Sequence, residues 1–146
     1  MKVVLPFDGS PSAVRAVAYV VDLAARGTKA RISVDLINVQ DATTDLPGAF
    51  VRDAADVAEQ LAKSALKDGA KLLAKPLAAL ERAKLKVQSK VLLGEPAEEI
   101  AAHAQDSGAD QIVMGTRGLG AVGGLVLGSI ASKVVHLVKV PVTLVK

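Results

Sequence analysis

Cysteine and tryptophan are both absent from the 146-residue sequence, and aromatic residues make up only 2% of it. Without cysteine the chain has no disulfide, no thiolate metal site and no cysteine nucleophile, which suits a reducing cytoplasm. With so few aromatic rings, it also lacks the stacking platforms on which many proteins bind single-stranded nucleic acids. Its core must therefore be filled by aliphatic side chains, chiefly valine, leucine and alanine.

Long apolar runs and concentrated charge are missing as well. No uninterrupted apolar run approaches the roughly 18 to 20 residues that a membrane helix needs. Pro6, Asp8 and Arg15 break the N-terminal region where a signal peptide would be continuously apolar. The formal charge is only +3, and the lysines and arginines are scattered among acids. We therefore expect a cytoplasmic protein with neither a membrane nor a nucleic-acid partner.

What the chain does contain is the pattern of an α/β domain. The composition, 51% hydrophobic and 23% charged, is that of a folded protein with one core. Apolar or alternating segments predict five strands, near residues 2–7, 32–39, 85–93, 111–114 and 141–145. Segments with helical spacing separate them. The order βαβαβαβαβ predicts one open parallel sheet, spanning residues 1–146, with helices on both faces.

Local signals place several helix boundaries. Ser10 is predicted to cap the first helix, with Pro11 at its first position and Gly27 after its end. Pro76 is expected to kink or interrupt the second helix. The buried stripe of that helix is predicted to comprise Val57, Leu61, Ala65, Leu66, Leu72 and Leu73.

A glycine-rich segment from Gly115 to Ser129 begins where the fourth strand ends and closes where the last helix begins. In an open α/β sheet, ligands bind at the carboxyl ends of the strands, where the strand order reverses. A helix N-terminus offers unpaired N–H groups and a positive dipole to phosphate, and glycines let the backbone approach the oxygens closely. The segment therefore predicts a nucleotide site.

Two glycine patterns overlap in this segment. Gly118 to Gly123 matches the dinucleotide pattern G-x-G-x-x-G, but it lies too near the C-terminus for the complete βαβ unit and its following acid. It would also occur by chance in about 5% of such chains, so we interpret it as a decoy. The spacing Gly-x2-Gly-x9-Gly-Ser would occur in only about 0.5%. Its residues are Gly115, Gly118, Gly128 and Ser129.

Together these residues resemble the universal stress protein family, in the branch that binds ATP, over essentially the whole chain. The resemblance is carried by Pro6-Phe-Asp8-Gly-Ser10, Gly94-Glu-Pro96, Gly108-Ala-Asp110, the glycine segment and Pro141-Val142. It implies an adenine-nucleotide α-hydrolase-like fold with strand order 3-2-1-4-5. It also implies ATP as the ligand, with Mg²⁺, and a homodimer in which the last strand, Pro141 to Val145, pairs across a two-fold axis.

The resemblance also implies roles for matching positions. Asp8 and Val39 would contact the adenine. The ribose would lie beside Pro6 and Gly115. The phosphate cradle would comprise Gly118, Gly128, Ser129 and Ile130, with Arg117 nearby. From the residues alone, Met114 is predicted to be core or pocket wall, and the Asp8 carboxylate can accept from an exocyclic amine.

Plainer interpretations stay open. Asp8 could only cap the turn into the first helix, and Ser129 could be only a helix N-cap. Arg117 could be a solvated loop residue, and the glycine segment a loop without a ligand. Neither His103 nor His136 has the spacing of a metal or catalytic site.

Three functions are therefore weighed. The first is a regulatory ATP-binding protein with slow or no hydrolysis, because no general base or arginine finger is evident. The second is an enzyme of the adenine-nucleotide α-hydrolase group, although Phe7 to Pro11 departs from the loop of its adenylating members. The third is a dimerisation module that binds no nucleotide.

Overall fold

The computed structural model describes residues 1–26, 32–41, 54–116 and 127–146. Strands and helices alternate strictly through these ranges, so the predicted βαβαβαβαβ order is confirmed. The strands are β1 (Lys2–Pro6), β2 (Ser33–Gln40), β3 (Lys86–Leu93), β4 (Gln111–Gly115) and β5 (Val142–Val145). The helices are α1 (Pro11–Ala25), α2 (Ala54–Arg82), α3 (Pro96–Asp106) and α4 (Ser129–Leu137).

All strand pairs in the sheet are parallel, and their order is β3-β2-β1-β4-β5, as the resemblance implied. The central strand β1 is almost wholly apolar because both of its faces are covered. Val3 and Leu5 pack with α1 and α2, whereas Val4 packs with α3 and α4. Each large aliphatic side chain buried in this way contributes about 1.5 to 3 kcal/mol.

The predicted start of the first helix is confirmed. Ser10 is the N-cap of α1, and its hydroxyl accepts a hydrogen bond from the Ala13 N–H at 3.2 Å, with Pro11 at the first helical position. Glu95 caps α3 in the same manner, accepting from the Glu98 N–H at 2.9 Å. The predicted stop of the first helix at Gly27 lies outside the described residues.

Two expectations for α2 were wrong in part: Leu72 and Leu73 do pack in the core as predicted, but the stripe does not extend to the start of the helix, and Pro76 does not interrupt the helix. Val57, Leu61 and Leu66 are not part of a buried stripe, because each is about 40% exposed. The helix also does not end at Pro76, which is buried within it. Packing on the sheet through Leu73 and Leu80 holds this part of the helix together despite the hydrogen bond that a proline removes.

The length of α2 explains the exposed residues. Its 29 residues span about 43 Å, whereas the eight residues of β3 span about 26 Å. Gly69, in the middle of α2, lies against Asn38 and Val91 near the carboxyl ends of β2 and β3. The first half of α2 therefore extends past the sheet.

In the described ranges no helix is both long and apolar enough to cross a bilayer.

Candidate functional site

The carboxyl edge of the sheet contains a crevice beside β1. After β1 the chain passes to α1 on one face, and after β4 it passes to α4 on the other. This reversal is the position at which open α/β sheets bind ligands. A cavity of about 340 Å³ lies here, lined by the ends of β1, β2 and β4 and by the starts of α3 and α4.

The predicted site residues that the structure describes all line this one cavity, although they come from four separate parts of the chain. They are Pro6, Asp8, Val39, Met114, Gly115, Gly128, Ser129 and Ile130. Arg117 and Gly118 lie outside the described residues.

Asp8 is half-buried at the end of β1, in a turn with Gly9 at a φ of 81°. One carboxylate oxygen, Oδ1, accepts a hydrogen bond from the Ser10 N–H at 2.9 Å, so Asp8 does stabilise the turn into α1. The other oxygen, Oδ2, has no hydrogen-bond partner within the described part of the chain. Because a carboxylate accepts several hydrogen bonds, Asp8 can hold the turn and contact a ligand at the same time.

The N-cap of α4 is not Ser129. Gly128 occupies the N-cap, with no side-chain cap, and Ser129 is the first helical residue, so the interpretation of Ser129 as an N-cap was wrong. The first helical hydrogen bond runs from the Ser132 N–H to the Gly128 carbonyl at 2.9 Å. The N–H groups of Ser129 and Ile130 precede that bond, so the helix itself offers them no partner.

Backbone hydrogen bonds tie this helix start to the sheet. The Gly128 N–H donates to the Thr116 carbonyl at 2.8 Å, and the Thr116 N–H donates to the Val145 carbonyl at 2.9 Å. The first turn of α4 is thereby held against the ends of β4 and β5, where its N–H groups border the cavity.

Gly115 has a packing role besides lining the cavity. A Cβ at this position would overlap the Ser12 hydroxyl and lie 2.8 Å from the backbone nitrogen of Ala13. Only glycine therefore allows the start of α1 to pack closely on the end of β4. Substitution of Gly115 would disturb the fold before it reported on any ligand.

The cavity walls are mainly apolar. Asp8 is the only charged residue among those described as lining it. Sequence reasoning missed three polar members, Ser10, Asn38 and Thr116. A signal for Asn38 was present, since it is a polar residue between Ile37 and Val39 near the end of β2; in the structure it is only 3% exposed.

A charged network joins the starts of α3 and α4 next to the cavity. Lys133 Nζ lies 3.3 Å from Glu95 Oε2 and 3.2 Å from Glu98 Oε1. The hydrogen bond from the Glu98 N–H, together with Lys133, lowers the pKa of Glu95. Hydrogen bonds to Glu98 and Glu95 raise the pKa of Lys133. Since all these groups are exposed, the network contributes little to stability.

A second polar cluster lies nearer the amino end of the sheet. Asp35 of β2, only 6% exposed, has Oδ2 at 3.2 Å from Lys2 Nζ and 3.1 Å from His103 Nε2. Lys2 Nζ also donates to the Ser107 carbonyl at 3.0 Å. His136 lies apart, with Nδ1 donating to the Ser132 carbonyl. Across the described ranges, no three or more His, Cys, Asp or Glu side chains are grouped to hold a metal ion.

Sequence comparisons agree with this architecture. The model of the universal stress protein family matches residues 1–146. Universal stress protein YxiE of Bacillus subtilis is 31% identical over 149 residues, which cover 99% of this chain and 98% of that protein. Universal stress protein MJ0531 of Methanocaldococcus jannaschii is 30% identical over 146 residues, covering 99% of this chain and 81% of that protein.

Solved structures share the fold. The hypothetical protein MJ0577 superposes with a TM-score of 0.80 at 27% identity, covering 99% of this chain and 94% of that one. A family protein from Arabidopsis thaliana with AMP bound gives 0.68 at 18% identity, covering 100% and 91%. A universal stress protein in complex with cAMP gives 0.64 at 23%, covering 99% and 95%. The family match over the whole chain and the full-length relatives lead to one conclusion: the chain belongs to the universal stress protein family.

Proposed function

We propose that the cavity binds an adenine nucleotide, ATP, and that binding serves regulation in the cytoplasm rather than rapid hydrolysis. The observation that carries this proposal is the convergence of Asp8, Val39 and the start of α4 on one cavity. The Arabidopsis thaliana protein with AMP and the protein with cAMP, which share this fold, support the same ligand class.

The charges around the cavity favour one orientation of the nucleotide. Val39 and Gly115 lie at or next to the ends of the strands on either side of β1, about 10 Å apart at two strand spacings. The Asp8 carboxylate repels phosphate but can accept from an exocyclic amine. The first turn of α4 presents the positive end of a helix dipole, with the N–H groups of Ser129 and Ile130. The base is therefore expected beside β2 and the phosphates beside α4.

The donor set of the cavity fits Mg²⁺ carried by the nucleotide. At the phosphate end, the hydroxyls of Thr116 and Ser129 lie near the start of α4, whereas Asp8, the one carboxylate among the described lining residues, is assigned to the base. Mg²⁺ usually keeps several waters and binds largely through the phosphates, so hydroxyls and waters can complete its shell there. No histidine or lysine is among these lining residues, so we expect hydrolysis to be slow or absent.

We also propose a homodimer through β5. This strand pairs with β4 on one side and is the edge of the sheet on the other. Its residues are only half-buried, and an apolar edge strand is prone to pair with another chain. Light scattering at micromolar concentration is expected to give the mass of two chains, and the mass of one chain would contradict the proposal.

Mass spectrometry of ligand released from freshly purified protein tests the nucleotide proposal directly, followed by calorimetric titration with Mg²⁺ and ATP. In the variant Gly128→Val with Ser129→Ala, a branched side chain enters the phosphate end and one hydroxyl is lost. ATP affinity is expected to fall at least about tenfold, the equivalent of one or more lost hydrogen bonds. Ser132→Ala, one turn later in α4, is the matched control and should bind normally.

Three outcomes would speak against this function. If the wild-type protein shows no affinity at millimolar ATP, the third function, a dimerisation module that binds no nucleotide, is favoured instead. Rapid turnover to AMP and pyrophosphate would indicate an adenylating enzyme instead. Equal loss of affinity in Ser132→Ala would show that the α4 variants act through folding.

A further inference from the structure

The hydrogen-bond ladder between β1 and β2 ends at the cavity. Its last backbone rung runs from the Phe7 N–H to the Ile37 carbonyl at 2.8 Å. Alternate residues of a strand direct their N–H and C=O groups to the same neighbour, so Val39 faces the end of β1 as Ile37 does. Gln40, one residue on, faces β3, where its carbonyl accepts from Gly94 at 3.0 Å.

The next rung of a regular parallel ladder would run from the Val39 N–H to the Phe7 carbonyl. That rung is missing between these two described residues. The Phe7 carbonyl instead accepts a hydrogen bond from the side-chain Nδ2 of Asn38 at 2.8 Å. The side chain of Asn38 thus occupies the acceptor that the Val39 N–H would otherwise use, and Val39 lies on the cavity wall.

The amide of Asn38 is held in one orientation. Gln40 Nε2 donates to its Oδ1 at 2.7 Å, which leaves Nδ2 to face Phe7. On the other side, α2 covers Asn38 so closely that a Cβ on Gly69 would lie 2.7 Å from Oδ1 and 2.6 Å from Val91 Cγ1. Glycine at this point of α2 is what allows Asn38 to be buried without losing its two hydrogen bonds.

We propose that Asn38 is a positioning residue that selects the base of the bound nucleotide. By holding the Phe7 carbonyl, its side chain keeps the Val39 N–H open as a donor, beside the Val39 C=O as an acceptor. That pair complements the ring nitrogen and exocyclic amine of a 6-aminopurine, whereas a 6-oxopurine has an oxygen in place of the amine that Asp8 also requires. This inference rests on the proposed nucleotide function.

The variant Asn38→Asp tests the inference, because it keeps the shape of the side chain and removes the donor. The Phe7 carbonyl is then free to accept from the Val39 N–H. ATP affinity is expected to fall about tenfold, as for the loss of one good hydrogen bond, and the preference for ATP over ITP should fall with it. Inorganic tripolyphosphate, which has no base, should lose less affinity than ATP, because only the charge of the new carboxylate affects it. An equal loss for tripolyphosphate would overturn the proposal, since it would indicate a general structural effect.

Gln40→Leu is a milder second variant, in case the buried carboxylate of Asn38→Asp prevents folding. It removes the donor that orients Asn38, and Gln40 itself is not among the residues that line the cavity. We expect the preference for ATP over ITP to fall about threefold. Gln111→Leu is the matched control, because it removes a similar hydrogen bond to Thr143 from the amino end of β4. An unchanged preference in Gln40→Leu, or an equal change in Gln111→Leu, would contradict the proposal.

Amide hydrogen exchange separates this proposal from the proposed function. In the ligand-free protein, the Val39 N–H is expected to exchange more slowly in Asn38→Asp than in wild type, because the missing rung forms. If the wild type binds neither nucleotide, the proposed function fails while this measurement still decides the role of Asn38. Exchange at Val39 that does not change in the variant would overturn that role.

Discussion

The two ends of β2 differ in the hydrogen-bond partners of their polar groups. Toward the amino end, Oδ2 of the buried Asp35 carboxylate lies between Lys2 and His103, so its partners come from the protein itself. At the carboxyl end, Val39 and the neighbouring Asp8 leave hydrogen-bonding groups facing a cavity. Buried polar groups are costly when unpaired, so a fold satisfies them wherever it can. A ligand in the cavity would therefore supply the hydrogen bonds that these groups at the carboxyl end lack within the protein.

The comparison implies that stability and ligand affinity depend on different residues. Asp35 and Val39 are four residues apart, about 13 Å along the strand. At that separation, substitutions without shared contacts usually act independently. Stability should respond mainly to the closed Asp35 cluster, and affinity mainly to the open carboxyl end.

The largest expected effect comes from Gly115, a cavity-lining residue on which the stability of the fold also depends. Gly115→Ala is expected to destabilise the fold by about 3 kcal/mol, because the added Cβ meets the backbone of α1. Denaturant unfolding measures this. Gly108→Ala is the control, since no atom lies within 4 Å of its Cβ position and only a φ of 63° opposes it, at a cost of about 1 kcal/mol. Equal losses in the two variants would mean that α1 does not approach β4 so closely.

The next effect tests the closed end of β2. Asp35→Asn keeps the size of the side chain but removes the charge between Lys2 and His103, and should cost about 2 kcal/mol of unfolding free energy. Nucleotide affinity, measured by calorimetry, should not change. Asp110→Asn, an exposed carboxylate at the same end, should change stability far less. A loss of ATP affinity in Asp35→Asn would show that the two ends are coupled.

The open end is tested by Asp8→Asn. The amide oxygen can still accept from the Ser10 N–H, so the turn into α1 and the unfolding free energy should be preserved. An NH₂ group replaces Oδ2, and ATP affinity should fall about tenfold because two donors then face each other. Titration of ATP measures the change. Wild-type affinity in this variant would place the base elsewhere in the cavity.

The smallest effect is expected from the exposed network at the starts of α3 and α4. Because the pKa of Glu95 is lowered in the folded protein, its carboxylate stabilises the fold at pH values above its ordinary pKa of 4.5. This contribution is lost as the pH falls through the lowered value. Glu95→Gln should therefore be slightly less stable than wild type at pH 7, and the difference should shrink as the pH falls below 4.5. A difference that grows on acidification would contradict this account.

Much of the fold could be predicted because the relevant signals are local. The period of the apolar residues distinguishes strands from helices within short windows, and Ser10 with Pro11 marks a helix start. The strand order is not local, and it came from the family resemblance. Exposure of Val57, Leu61 and Leu66 could not be predicted, because helical spacing does not tell how far a helix extends past its sheet.

The candidate site was predictable where its residues lie in a motif. Asp8 was assigned through the family resemblance and Ser129 through the glycine spacing, and both line the cavity. Asn38 could not be found in this way, because its role depends on a rung that is missing between two strands. Gly69 needs even more context, since its importance appears only when α2 is packed on Asn38.

At Gly128, the uncapped start of α4, the residue types that would favour folding differ from those that would favour retention of a ligand. Serine, asparagine or aspartate there would supply the cap from within the chain and stabilise the empty protein by a few tenths of a kcal/mol. The same side chain would occupy the space proposed for a phosphate of the bound nucleotide, and aspartate would also repel that phosphate. A thermal-stability screen of the unliganded protein should therefore enrich the very substitutions that a screen for retained nucleotide removes. Position 128 can be optimised for one property only at the expense of the other.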